Sequence, residues 1–171
     1  MSSQKIDEIF DEIARFLSGN WAILGIGNRL RGDDAFGSIV AEKLKEKFKN
    51  SAFDEKIFDG ASAPENYFGK LIKLNCERIL VIDAIIFDAP AGELRIFSPE
   101  NLSSPMMMTH GPSNFYMMQM ALPESSIKIL AVAPKNLALG EPISREIKSV
   151  SLRVVESLGR ILENIVRLEG K

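Results

Sequence analysis

Cysteine and histidine each occur once, as Cys76 and His110. A lone cysteine excludes an intrachain disulfide and a cysteine-rich closed metal site, and it fits a reducing, cytoplasmic setting. A lone histidine means that any chemistry needing an imidazole from this chain uses His110. Excess charge of one sign is also lacking: the formal net charge is −2, so no field favours nucleic acid or an anionic membrane. No apolar run approaches the roughly 18 residues that a membrane span requires. The opening stretch, residues 1–11, lacks the basic region and continuous apolar core of a signal peptide. The sequence contains no repeat, low-complexity tract or linker, so 1–171 reads as a single domain of 171 residues, long enough to bury a full core.

What is present alternates between helical and extended patterns. Ile6, Ile9, Phe10, Ile13, Phe16 and Leu17 form one apolar helical face over residues 5–17, a helical extension at about residues 4–18 stopped by Ser18-Gly19-Asn20. The short apolar run Trp21–Ile26 predicts a buried strand. A loop over Gly27–Asp33 leads into a helix that starts near Asp34 and reaches about Phe48. A weak strand is expected at 52–58, then a loop over 59–66 that opens a helix to about Leu74, with Pro64 suited to its first turn. Ile79–Ile82 predicts a second buried strand, ending at Asp83. After the turn Ala89-Pro90-Ala91-Gly92, residues 93–97 alternate as a strand that a short connection makes antiparallel. Loop at 101–114, helix at 115–122, strand at 127–132, loop at 134–142 and a long amphipathic helix at 144–168 complete the chain. Strands alternating with helices predict a three-layer α/β/α fold around a twisted, mostly parallel sheet of about five strands.

In an open parallel sheet the active crevice lies beyond the carboxyl ends of the strands. Asp33 and Asp34 follow the first strand, Asp83 ends the second buried strand, and Thr109-His110 lies in the loop after residues 93–97. Two carboxylates and one imidazole make an oxygen, oxygen, nitrogen donor set that suits zinc, nickel, cobalt or manganese and leaves coordination positions open. Each residue also has a plainer use. Asp33 or Asp34 serves equally as a helix cap, Asp83 as a turn former, and His110 as a surface or satisfied core histidine. Met106-Met107-Met108 suits core packing, or else a peptide-contact wall. Gly25-Ile26-Gly27 opens like a dinucleotide fingerprint, but Leu30 stands where the third glycine belongs, and Asp33 and Asp34 would repel phosphate. Ser62 is a nucleophile by type but has no second histidine to activate it. A Cys76–His110 dyad is disfavoured, because Cys76 precedes a strand at its amino end.

The blocks Gly25-Ile26-Gly27-Asn28-Arg29-Leu30-Arg31-Gly32-Asp33-Asp34-Ala35-Phe36-Gly37, Asp59-Gly60-Ala61-Ser62-Ala63-Pro64-Glu65-Asn66, Val81-Ile82-Asp83-Ala84, Gly92-Glu93-Leu94-Arg95-Ile96 and Met107-Met108-Thr109-His110 follow one another along the chain. Taken together in that order, they resemble the hydrogenase maturation endopeptidases. The second block is most similar to that of the hydrogenase 3 maturation proteases, and the similarity spans about residues 21–165. The resemblance implies an α/β fold and a monomeric, cytoplasmic, aspartic-type peptidase. Its partner would be the large-subunit precursor of a nickel–iron hydrogenase, from which it removes a C-terminal peptide after nickel insertion. It places the metal-binding and catalytic residues on Asp34, Asp83 and His110. The nickel would arrive with the precursor, and zinc or cadmium could take its place on the isolated protein. The first ligand position is Glu in some relatives and Asp here. A non-proteolytic nickel carrier built on the same three residues, and a nucleotide-binding α/β module, stand as the competing readings.

Overall fold

A computed structural model describes residues 3–102 and 113–169. Five strands, β1 (Trp21–Ile26), β2 (Ile57–Ala61), β3 (Arg78–Ala84), β4 (Leu94–Phe97) and β5 (Ser126–Val132), form one sheet in the order β2-β1-β3-β5-β4. The first four in that order pair in parallel, and β4 joins β5 antiparallel, as its short connection requires. Gly25 pairs with Ile82 and Asp83 with Ala131. After β1 the chain adds β2 on one side and then β3 on the other. The order therefore reverses between β1 and β3, and a crevice opens there beyond their carboxyl ends.

Helices cover both faces. Phe10, Ile13, Phe16 and Leu17 of α1 (Ser3–Phe16) and its end share one apolar core with Val40 and Leu44 of α2 (Phe36–Lys47) and Ile147, Val154 and Leu158 of α5 (Arg145–Glu169). On the sheet side that core takes Leu80, Ile82 and Ala84. Leu71 of α3 (Phe68–Lys73) and Phe115 and Met118 of α4 (Ser113–Ala121) pack on Ile79, Val81 and Ile129 of the opposite face. Strand residues alternate between faces, so Asp83 shares the α3/α4 side with Val81. The N-terminal extension is thus a core-bearing layer element, held further to β5 by the Lys128–Glu12 ion pair and to the turn before β4 by Lys5–Glu93.

Two local expectations need correction. Residues 52–56 form no strand: a 3₁₀ turn spans Asp54–Lys56, and β2 runs five residues later than its expected start, through Asp59 and Gly60 to Ala61. An acid inside a strand looks like loop in sequence. Here Asp59 is held by Arg29 from the next loop, at 2.8 Å. Asp83 likewise lies within β3, which continues to Ala84. Among the described residues, no helix is long and apolar enough to cross a membrane.

Candidate active site

Close approach of α2 to the sheet builds the crevice. A Cβ on Gly25 would lie 2.1 Å from the Gly37 carbonyl oxygen, and one on Gly37 would lie 1.9 Å from that of Ile82 and 2.3 Å from that of Ile26. Gly27 (φ +152) leaves its missing Cβ 1.9 Å from the Asp34 carbonyl oxygen. The glycines that resemble a nucleotide fingerprint are therefore contact points between backbones. They draw the 3₁₀ turn Gly32–Ala35, which carries both acids, against the end of β3.

Asp33 and Asp34 are both buried, and they divide the work. The Asp33 carboxylate accepts backbone N–H bonds from Lys135 (2.8 Å) and Asn136 (2.9 Å) through Oδ2, and from Ser144 (2.7 Å) through Oδ1. Its own N–H donates to the Asn136 carbonyl at 2.9 Å. It therefore locks the loop after β5 to the loop after β1 and fixes the start of α5. It does not cap its own helix, since neither the 3₁₀ turn nor α2 has a side-chain cap. Asp33→Ala should lower stability by about 3 kcal/mol, because three part-buried backbone donors lose a charged acceptor at roughly 1 kcal/mol each. Thermal melting would read this as a drop of roughly 6–12 °C, with Asp33→Asn intermediate.

Asp34 accepts the Asn28 N–H on Oδ2 at 3.1 Å, and Asn28 in turn accepts the Leu30 N–H at 2.9 Å. Asp83, on the other wall, accepts the N–H of Ala84 on Oδ1 at 2.8 Å. Both carboxylates are almost wholly shielded from solvent, at 2% and 1% exposure. Taking a carboxylate out of water is costly, and buried acids in a crevice are candidates for chemistry. Asp34 and Asp83 therefore stand at the two strand ends that flank the point of reversal. His110, with Thr109 and Met106–Met108, lies outside the described residues. Among the described residues no group of three His, Cys, Asp or Glu side chains converges.

Arg29 braces the same loop from outside. Its guanidinium donates to Ser38 Oγ (2.8 Å), Glu42 (2.7 Å) and Asp59 (2.8 Å). The hydrogen bond to Glu42 raises its pKa above the ordinary arginine value, against the opposing effect of burial. Because these pairs are half-exposed, Arg29→Ala should cost only about 1 kcal/mol, measurable as a small fall in denaturation midpoint. On the β2 side, Gly27 N–H donates to the Ala61 carbonyl at 2.9 Å, and Ala61 itself is held at φ +44 beside a register shift. Ala61, strained by that positive φ, ends β2 next to exposed Ser62; the sequence pattern predicts loop for both. Cys76 sits at the amino end of β3, buried, and burial pushes its thiol upward in pKa. It is remote from the crevice and poor in thiolate, which removes the dyad reading.

A doubly covered, mostly parallel sheet with the buried acids Asp33, Asp34 and Asp83 at the carboxyl edge of β1 and β3 defines the class: an α/β protein whose ligand crevice is expected at that switch point. The profile of the family described as hydrogenase maturation protease matches residues 39–161, a span that includes Asp83 and starts after Asp34. The hydrogenase 3 maturation protease of Escherichia coli is 30% identical over 138 residues, covering 80% of this chain and 86% of its own. The crystal structure of the hydrogenase maturation protease HycI from Thermococcus kodakarensis superposes with a TM-score of 0.77 at 32% identity, covering 89% of this chain and 99% of that one. The solution structure of the endopeptidase HycI from E. coli gives 0.67 at 26% identity, covering 81% and 88%. The chain belongs to the hydrogenase maturation protease family, and it is an endopeptidase of hydrogenase maturation.

Proposed function

We propose that this endopeptidase removes the C-terminal peptide from the large-subunit precursor of a nickel–iron hydrogenase once nickel is in place. It reads the precursor's nickel through Asp34, Asp83 and His110. The observation that carries this reading is the burial of Asp34 and Asp83 at the carboxyl ends of the two strands flanking the switch point. Oxygen donors of this kind suit a borderline divalent ion, and they are weaker than the thiolates that would hold nickel in a precursor. They can therefore share the ion without stripping it. The position of α4 supports the third ligand. This helix leads into β5, so its first turn lies at the carboxyl edge of the sheet, near the 3₁₀ turn Pro64–Tyr67 that follows β2. His110 precedes that first turn by three residues, a reach of at most about 11 Å.

Cleavage adds water across one peptide bond: the C–N bond breaks, a carboxylate forms, and the released peptide leaves with a protonated amine. A carboxylate of Asp34 or Asp83 takes the water's proton as general base, or the nickel polarises the water or the carbonyl. The nickel belongs to the substrate in both routes, which makes proteolysis conditional on metal insertion. The protein acts alone, as a monomer in the cytoplasm, and zinc or cadmium would occupy the same donors in its isolated form. The test is incubation with nickel-loaded and nickel-free precursor, read by precursor mass. Loss of one C-terminal peptide in the loaded sample alone is expected. Uptake of nickel with no cut would favour a carrier and overturn the peptidase mechanism.

A further inference from the structure

The loops after β1 and β5 are joined by backbone hydrogen bonds, from Gly140 N–H to the Leu30 carbonyl (2.7 Å) and from Gly32 N–H to the Glu141 carbonyl (3.0 Å). Asp33 adds its three-donor clamp between the same two loops. Yet this tied, well-satisfied unit holds two large apolar side chains out in solvent: Leu30 at 68% and Leu139 at 70% exposure. The Gly140–Leu30 hydrogen bond brings the backbone just after Leu139 against that of Leu30, so both leucines belong to the same tied pair of loops. Between Leu30 and the clamp sits Arg31, exposed and, among the described residues, without an ion-pair partner. Asp34 lies three residues beyond Arg31 and at the foot of the same loop. A stiff loop that spends no apolar surface on its own core, at the rim of the crevice, is suited to gripping a polypeptide.

We infer that Leu30 and Leu139 form a substrate-contact pair that takes an apolar side chain of the precursor next to the scissile bond, with Arg31 receiving a neighbouring carboxylate. This rests on the proposed processing of a large-subunit precursor, and it assigns to that site its specificity determinants. The occupant is a peptide segment, because the loop that carries Leu30 and Arg31 runs directly into the turn bearing Asp34, where the proposed mechanism puts the scissile bond. A small ligand would need a cavity, whereas these side chains project outward. The cation selects an acidic over a basic flanking residue, since a guanidinium binds carboxylate in a bidentate fork.

The experiment measures both processing rate and equilibrium binding of nickel-loaded precursor by wild type, Leu30→Ala/Leu139→Ala, Arg31→Gln and the control Leu152→Ala, an exposed leucine on α5 (51% exposure). The double variant should raise KM and Kd by about tenfold or more, the loss expected when leucine side chains no longer leave water on binding. kcat and melting temperature should stay near wild type, because an exposed side chain contributes little to the fold. Arg31→Gln should raise KM in a salt-dependent way, and Leu152→Ala should change nothing. Unchanged KM and Kd in the double variant, with wild type active, would overturn the contact pair alone. Wild-type binding without cutting would sink the peptidase mechanism while the Kd values still judge the leucines. A fall in melting temperature matching the loss of activity would assign these residues a structural role and overturn the inference.

Discussion

Asp34→Asn and Asp83→Asn should each reduce processing of nickel-loaded precursor by at least about a hundredfold, the usual scale for losing a general base, while leaving the melting temperature unchanged or higher. The amide keeps the carboxylate's shape and an acceptor oxygen. In Asp34→Asn that oxygen can still receive the Asn28 N–H, and in Asp83→Asn it can still receive the N–H of Ala84. The negative charge is what disappears, and with it the metal donor or proton acceptor that the proposed mechanism assigns to these residues. Removing a carboxylate buried to 1–2% exposure also removes a desolvation cost that the fold bears. Gain of stability with loss of activity is the signature of a group kept for chemistry. Asp33→Ala should behave in the opposite way, with melting temperature falling first and activity following it. Processing at the wild-type rate by either asparagine variant would exclude that residue from the reaction.

Gly37→Ala is the substitution with the largest expected effect on the fold. The new methyl would sit 1.9 Å from the Ile82 carbonyl oxygen and 2.3 Å from that of Ile26. Both obstacles are backbone at the ends of β3 and β1, so no side chain can turn aside, and α2 must lift from the sheet. Overpacking a core by a methyl commonly costs 1–3 kcal/mol; with only backbone to yield, a loss above about 3 kcal/mol is expected. The same lift would carry Asp34 away from Asp83, so processing should fall even in the fraction that remains folded. Gly69→Ala is the matched control. It lies within α3 with nothing within 4 Å of the added Cβ, and it should stabilise by about 0.5–1 kcal/mol through helix propensity. A Gly37→Ala melt equal to wild type would contradict the close packing on which the crevice depends.

Much of this architecture was legible from local pattern. β1 spans residues 21–26 as its apolar run predicts, β5 and α5 fall within a residue of their expected bounds, and the antiparallel β4 follows from its short turn. Such elements are decided by periodicity and turn chemistry within about ten residues. β2 was displaced because its distinguishing contact, Asp59 with Arg29, crosses 30 residues. The Asp33–Asp34 pair shows the same limit at the site. Adjacent acids before a helix are indistinguishable by local rules. What separates them is the clamp of Asp33 on backbone 102 to 111 residues away. Asp83 stands out in the sequence because a run of apolar residues ending in an acid is odd in any parallel strand, and the structure buries it near the end of β3. The backbone of Ala61 left no sequence signal, since alanine rarely takes a positive φ and this one goes with a register shift against β1.

Nickel X-ray absorption on a stalled complex tests the account's central claim most directly. Nickel-loaded precursor carrying an uncleavable bond at the processing site would be mixed with the wild-type protein and compared with the precursor alone. The account predicts added oxygen and nitrogen scatterers at about 2.0–2.2 Å, the range for carboxylate and imidazole donors to such an ion, and their reduction with Asp83→Asn or His110→Ala. A nickel shell identical with and without the protease, in a complex shown to have formed, would contradict recognition of the metal by Asp34, Asp83 and His110.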